Sequence, residues 1–273
     1  MTKFAVQTIH LPGSDIAAQF DYAALFGYDA VEVAIGPEFD LIGRLSDVEA
    51  ASKSAGLPVC AICTHPIHDP LHPDRAEQGR RLDTLRDLLG AADTLGAVGV
   101  VSVPVRPPVT FEDVPWAERW NRLRDRLIET LGTWAALLPS GRAALLLEPL
   151  NRYETYFLNR VEQALEIAEA VNHPRVKVLA DLFHMNIEEK SLGDPIRDAG
   201  PRLGHVHIAD NNRLQPGLGF MDFRPAFAAL REISYQGYVS IECWSPDGPK
   251  IAGAPEDALP AAVRFMRAQL ESM

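Results

Sequence analysis

Cysteine is scarce in this chain, and so is positive charge. Three cysteines, Cys60, Cys63 and Cys243, are too few for a disulfide framework. Cys60 and Cys63 form a C-x-x-C, but inside the apolar run PVCAICTH. Residues three apart on a strand point to opposite faces, whereas a redox pair needs a turn that opens a helix. They read as two buried strand cysteines. Lys and Arg number 26 against 37 Asp and Glu, for a formal net charge of −11. A nucleic-acid or anionic-membrane partner would want a basic face, so neither is expected. No apolar run is long enough to cross a bilayer. The segment MTKFAVQTIHLPGSD lacks the pattern of a signal peptide, which makes the cytoplasm the expected location. A glycine-rich phosphate turn after the first strand is also missing, since HLPGSD is not one.

What is present is a rhythm. Eight apolar, β-rich segments recur at 4–9, 30–35, 58–63, 99–105, 143–149, 176–181, 204–210 and 238–244. Helical spacing lies between them: Leu82, Leu85, Leu88, Leu89, Ala92 and Leu95 form one apolar stripe, and Val161, Ala164, Leu165, Ala168 and Val171 another. Asn159 is the expected N-cap of the latter. Gly27, Gly56, Gly96, Pro174 and Gly237 each precede a strand and would end the helix before it. Near-continuous apolar strands alternating with helices predict a parallel sheet covered on its outer face. For 273 residues the natural closure is a (β/α)₈ barrel, an α/β TIM-barrel fold, with residues 1–273 as one domain. The Pro-rich stretch VRPPVTFEDVP (105–115) is a candidate lid or rim loop.

Four of the most apolar stretches each carry one polar residue where none is expected. These are Glu148 in LLLEPL, Asp181 in VLADLF, His207 in HVHIAD and Glu242 in VSIECW. Burying such a group costs several kcal/mol, roughly, unless something pairs it. Three carboxylates and one imidazole cannot satisfy one another, because the acids repel. One divalent cation would satisfy all four. In a barrel the four residues fall near the C-terminal ends of strands five to eight, where active sites form. Three oxygen donors and one nitrogen suit Mn²⁺, the first expectation, with Mg²⁺ and Co²⁺; Zn²⁺ and Fe²⁺ are tolerated. Glu154, His184 and Arg213 follow on the adjoining βα loops, where substrate would lie. His65, in the histidine-rich loop HPIHDPLH after strand three, is a further candidate substrate contact. PGLGF (216–220) offers backbone N–H groups that could cradle a phosphate.

The run ADLFHMNIEEKSLGDPIRDAGPRLGHVHIADNNRLQPGLGFMDF, with LLEPLNRYET before it and GYVSIECW after it, resembles the sugar isomerase/epimerase family with the xylose-isomerase-like barrel. Its closest branch is the ketose 3-epimerases of the tagatose and psicose group. The likeness covers roughly residues 140–245, and the ligand spacings of 33, 26 and 35 residues fit it. It implies Glu148, Asp181, His207 and Glu242 as metal ligands, Glu154, His184 and Arg213 as substrate contacts, and a homodimer or homotetramer. Asp210 departs from it, standing where the family more often has Glu.

The expected partner is a small-molecule sugar or sugar derivative. An α-hydroxyketone has a weakly acidic C–H beside its carbonyl, and a divalent ion would stabilise the enediolate left by its loss. Epimerisation then needs two carboxylates on opposite faces, one to take the proton and one to return it. Glu148 and Glu242 are the candidates. The same centre could run aldose–ketose isomerisation or an inosose-type dehydration. A DNA-repair nuclease of the AP-endonuclease type would need further histidines, for which only His65 and His184 are at hand. A non-catalytic sugar-binding barrel is the remaining alternative.

Overall fold

All eight expected strands form, and they close. In the computed structural model, which describes residues 2–36, 39–64, 68–105, 110–111 and 114–272, the strands are β1 (Lys3–Gln7), β2 (Ala30–Ala34), β3 (Val59–Cys63), β4 (Gly99–Ser102), β5 (Ala144–Leu147), β6 (Val176–Asp181), β7 (Leu203–Ile208) and β8 (Tyr238–Ile241). Each pairs in parallel with the next, and β8 pairs with β1 through Lys3 opposite Tyr238 and Val6 opposite Ile241. Nine helices are described: α1 (Ile16–Phe26), α2 (Leu45–Ala55), α3 (Arg75–Leu95), α4 (Arg119–Ala135), α5 (Val161–Val171), α6 (Leu182–Glu188), α7 (Asp194–Ala199), α8 (Arg224–Glu232) and α9 (Pro255–Glu271).

Local chemistry sets the helix ends. Asp15 and Asp74 cap α1 and α3, each accepting a backbone N–H of the first turn. Gly96 closes α3 with φ +71°, a left-handed conformation that costs glycine nothing. The cap of α5 lies one residue beyond the expected Asn159. Arg160 holds that position, and Gln163 Oε1 accepts the N–H of both Asn159 and Arg160. The Asn159 side chain instead donates to the carbonyls of Leu150 and Thr155.

Strand alternation divides the interior into two parts. Phe4, Val6, Val31, Val33, Leu145, Leu147 and Val178 face the helices and join the large outer core. Ala5, Ala30, Ala144, Leu146 and Leu179 turn the other way and fill the barrel. Two residues further along the same inward rows stand Gln7, Glu32, Glu148 and Asp181. His207 follows His205, and Glu242 follows Ser240, in the same way. Apolar side chains, alanines and leucines among them, thus floor a layer that is almost wholly polar. His65 and part of the 105–115 stretch (106–109, 112 and 113) lie outside the described residues.

Candidate metal centre

Glu148 and Glu242 are each the first residue past a strand, Asp181 is the last of β6, and His207 the penultimate of β7. Four adjacent tips therefore bring four polar side chains together. One donor atom from each of Glu148, Asp181, His207 and Glu242 lies within 4.8 Å of the others. His207 Nδ1 faces the acids, 3.0 Å from Glu148 Oε1, 3.2 Å from Glu242 Oε2 and 3.9 Å from Asp181 Oδ2. Asp181 divides its oxygens: Oδ1 accepts the His184 N–H at 3.0 Å and caps α6, leaving Oδ2 toward the cluster.

The electrostatics describe a centre short of positive charge. Burial, then repulsion from Glu242, pushes the Glu148 carboxyl up to about 7. The same two causes take Asp181 up to about 6. Burial would lower His207, but Glu32, Glu242 and Glu148 outweigh it and hold the imidazole well above its usual value. Glu242 is held below the ordinary carboxylate range, because His207 outweighs burial. An imidazolium among three acids is a poor substitute for a divalent cation. Three oxygens and one nitrogen converging on one point fit such an ion.

Glu32 belongs to this layer and was missed by the sequence reading. It is fully buried on β2 and accepts from His207 Nε2 at 2.9 Å and His205 Nε2 at 3.0 Å. Its strand, AVEVA, alternates small, apolar and charged residues, as a strand with one solvated face does. The available signal was Ala30, Glu32 and Ala34 in one row, small residues that suit a barrel interior.

The loops bring the expected substrate contacts together. His184 is buried, and its Nδ1 accepts from the Asn151 backbone N–H at 3.2 Å and side-chain amide at 2.8 Å. The proton therefore sits on Nε2, which has no partner among the described residues. Burial lowers this imidazole to about 4, so it stays neutral. Asn151 also donates to Glu154, which accepts from Arg213 Nη1 at 2.5 Å. The guanidinium lies over Phe183 and Trp244, 5.0 and 5.2 Å from the ring centroids. Arg213 adopts φ +63°, unusual for a residue with a side chain. Hydrogen bonds fix this turn, from the Arg213 N–H to the Asp210 carbonyl and from the Trp244 N–H to the Arg213 carbonyl.

Glu148 and Glu242 open onto a cavity of about 340 Å³ walled by Gln7, Ile35, Cys63, Asp69, Val103 and Trp244, among others. No lysine or arginine is among its described lining residues. Cys63 is thus more than a packing residue, since it reaches the cavity and lies 3.8 Å from Glu242 Oε1. The phosphate cradle considered in PGLGF is filled by the chain itself. Asp210 accepts the N–H groups of Asn211, Gly217 and Met221 at 2.9–3.0 Å. Gly219 is required there, because a Cβ would lie 2.2 Å from Asp210 Oδ1. His184 does not join the four-residue ligand group, so the extra histidines of a multi-zinc nuclease are not assembled among the described residues.

Comparison with known proteins points the same way. The xylose isomerase-like TIM barrel family matches residues 20–269. The chain is 34% identical to the 3-dehydro-D-guloside 4-epimerase of Escherichia coli K12 over 84% of its own length and 87% of that enzyme. It is 43% identical to a ketose 3-epimerase of Arthrobacter globiformis over 88% of its length and 81% of that enzyme. Among solved structures, the apo 3-keto-D-glucoside 4-epimerase of E. coli superposes with a TM-score of 0.83 at 29% identity, covering 98% of this chain and 100% of that one. A D-psicose 3-epimerase crystallised with D-fructose gives 0.81 at 26% identity, covering 98% and 99%.

Proposed function

This chain belongs to the xylose isomerase-like TIM barrel family, and on that premise we propose that it is a divalent-metal-dependent sugar epimerase. It would move a proton at the carbon next to a ketose carbonyl, through an enediolate. The observation that carries this reading is that Glu148 and Glu242 belong to one ligand group and both open onto the same cavity. Glu148, Asp181, His207 and Glu242 would hold the ion, with Mn²⁺ first and Mg²⁺, Co²⁺, Zn²⁺ or Fe²⁺ as substitutes. A cation held there would supply Lewis-acid polarisation of the substrate carbonyl, which makes the neighbouring C–H more acidic.

The chain's own groups do the rest. One of Glu148 and Glu242 takes the proton from one face of the carbon, and the other returns one to the opposite face. His184 Nε2 donates to a substrate oxygen. Arg213 and Glu154 hold further hydroxyls, with Arg213 kept in place by the rings of Phe183 and Trp244. His65 is retained as a substrate contact. An uncharged sugar is favoured over a sugar phosphate, because Asp210 already takes the N–H groups of Asn211, Gly217 and Met221.

A second reading places the same transfer one carbon further along, at C4 of a 3-keto glycoside. The likeness to the E. coli 4-epimerase, which spans most of both chains, favours it. We take residues 1–273 as one catalytic domain of a cytoplasmic homodimer or homotetramer with no nucleic-acid or membrane partner. The acidic net charge speaks against a nucleic-acid or anionic-membrane partner, and among the described residues no helix is long and apolar enough to cross a membrane.

The deciding experiment incubates the metal-loaded protein in deuterated water with free ketoses, ketose phosphates, 3-keto glycosides, aldoses and inososes. Deuterium entering a ketose beside its carbonyl, with inversion, is the expected result. Label at C4 of a glycoside selects the second reading. Aldose interconversion or dehydration would replace the epimerase reading, and absence of metal-dependent exchange in every substrate would remove it.

A further inference from the structure

Glu32 has no place in the proton transfer, yet it is the best-satisfied acid of the polar layer. It is fully buried and meets the Nε2 edge of the His207 ring, whereas the acids of the centre meet the Nδ1 edge. Its Oε1 takes His207 Nε2 at 2.9 Å and Gln7 Nε2 at 3.3 Å, and its Oε2 takes His205 Nε2 at 3.0 Å. We propose that Glu32 is the positioning residue of the metal centre. It keeps the proton on His207 Nε2, turns Nδ1 toward the three acids, and steadies Glu242 through Gln7. This rests on the metal-centre reading given above.

The argument is one of donors and lone pairs. A carboxylate only accepts, so a ring nitrogen at hydrogen-bond distance from it must carry a proton. Both nitrogens of His207 meet a carboxylate, Nε2 that of Glu32 and Nδ1 that of Glu148. A cation among the three acids would displace the Nδ1 proton, while Nε2 keeps its own against Glu32. The two ring nitrogens face opposite ways, and Nδ1 is the one 3.0–3.2 Å from Glu148 and Glu242. A carboxylate behind a ligating histidine fixes the ring and raises its basicity. Gln7 extends the same control. Its Nε2 lies 3.3 Å from Glu32 Oε1 and 3.3 Å from Glu242 Oε1. The reverse orientation of the amide would set its oxygen against two acids. Cys63 lies 3.8 Å from the same Glu242 oxygen. Donors thus engage Oε1 of Glu242, and Oε2 is left facing the centre.

Metal-stripped full-length protein titrated with Co²⁺ tests this by calorimetry and visible absorption. Wild type must bind first; if it takes up no Co²⁺, the metal-centre reading itself fails. Glu32→Gln keeps the size, but its single oxygen cannot accept from both imidazoles. It should bind Co²⁺ roughly 10–100-fold more weakly, with a shifted visible band and unchanged circular dichroism. A folded Glu32→Gln with wild-type affinity and spectrum would overturn the proposal. Should that variant not fold, wild type loaded with NMR-active cadmium and isotope-labelled in its histidine nitrogens decides instead. Coupling of cadmium to Nδ1 of His207, with a proton retained on Nε2, is expected; coupling to Nε2 would overturn the proposal.

Discussion

Glu32 and Glu148 are both buried in one barrel interior, and each touches one nitrogen of the same imidazole. Their surroundings are otherwise opposite. Glu32 has an N–H on each oxygen, so His207 and His205 outweigh burial and hold its carboxyl well below the ordinary range. Glu148 shares its space with Glu242 and Asp181, and burial with their repulsion drives it up to about 7. The difference separates two kinds of buried acid. One has its partners within the protein and fixes geometry. The other is completed only by something that arrives, and so marks a site.

The sharpest way to break this comparison is to neutralise the acids that face one another. Glu148→Gln and Glu242→Gln should each lower the rate of deuterium exchange by about 10²–10⁴-fold, the usual contribution of a general acid or base. Their far-ultraviolet spectra should not change, since like charge is being removed. Near-normal exchange by either would end the two-base scheme.

Next in size is the effect of the cation. Saturation at about 100 times Kd should stabilise the fold by about 2.7 kcal/mol. That raises Tm by roughly 5–10 °C, and a chelator should reverse it. The ligands must lose their protons first, so affinity should rise with pH. His207, held protonated well above its usual range, must release one proton. As pH drops, calorimetry should therefore show affinity falling by about tenfold per pH unit already above 7. The fall should steepen below about 7, where Glu148 takes up a proton, and again once Asp181 joins near 6.

His10 is an intermediate case. Its Nε2 accepts the Cys243 N–H at 3.1 Å, while its buried Nδ1 has no partner among the described residues. Burial lowers this imidazole from 6.5 to about 4. Above 6.5 neither the folded nor the unfolded chain binds a proton there, so nothing is lost. As pH falls through that window the unfolded chain takes up a proton that the folded chain refuses, and stability drops. Between pH 7 and 5 this amounts to about 2 kcal/mol. Urea unfolding of wild type and His10→Gln at both pH values should show that difference, with the variant less acid-sensitive.

The smallest effect belongs to acids that water already satisfies. Lys53 pairs with Glu49 at 2.8 Å, but the two side chains are 73% and 43% exposed. Lys53→Ala should cost about 0–1 kcal/mol in thermal unfolding.

The same contrast explains what the sequence disclosed. The strands were legible because eight apolar runs are long and regularly spaced. Glu148, Asp181, His207 and Glu242 were legible because each interrupts such a run at its end. Glu32 was not, because V-E-V alternates as a half-solvated strand does. Only closure of the sheet turns that second face into an interior. Gln7 was hidden for a related reason: its contacts with Glu32 and Glu242 span 25 and 235 residues. The roles of Asp210 and PGLGF depend on a side chain folding back onto its own loop, which residue types at fixed spacing do not report.

The β1–β8 pairing has one more consequence, for the order in which the molecule assembles. All four candidate ligands lie within residues 148–242, on consecutive strands that can meet early. Gln7 and Glu32 arrive only when the first and last strands join, the pairing with the greatest loop-closure cost in the barrel. A half-zipped intermediate would therefore carry the acids together without the groups that orient them. Refolding with and without metal should show whether the ion is captured before the seam shuts or after it.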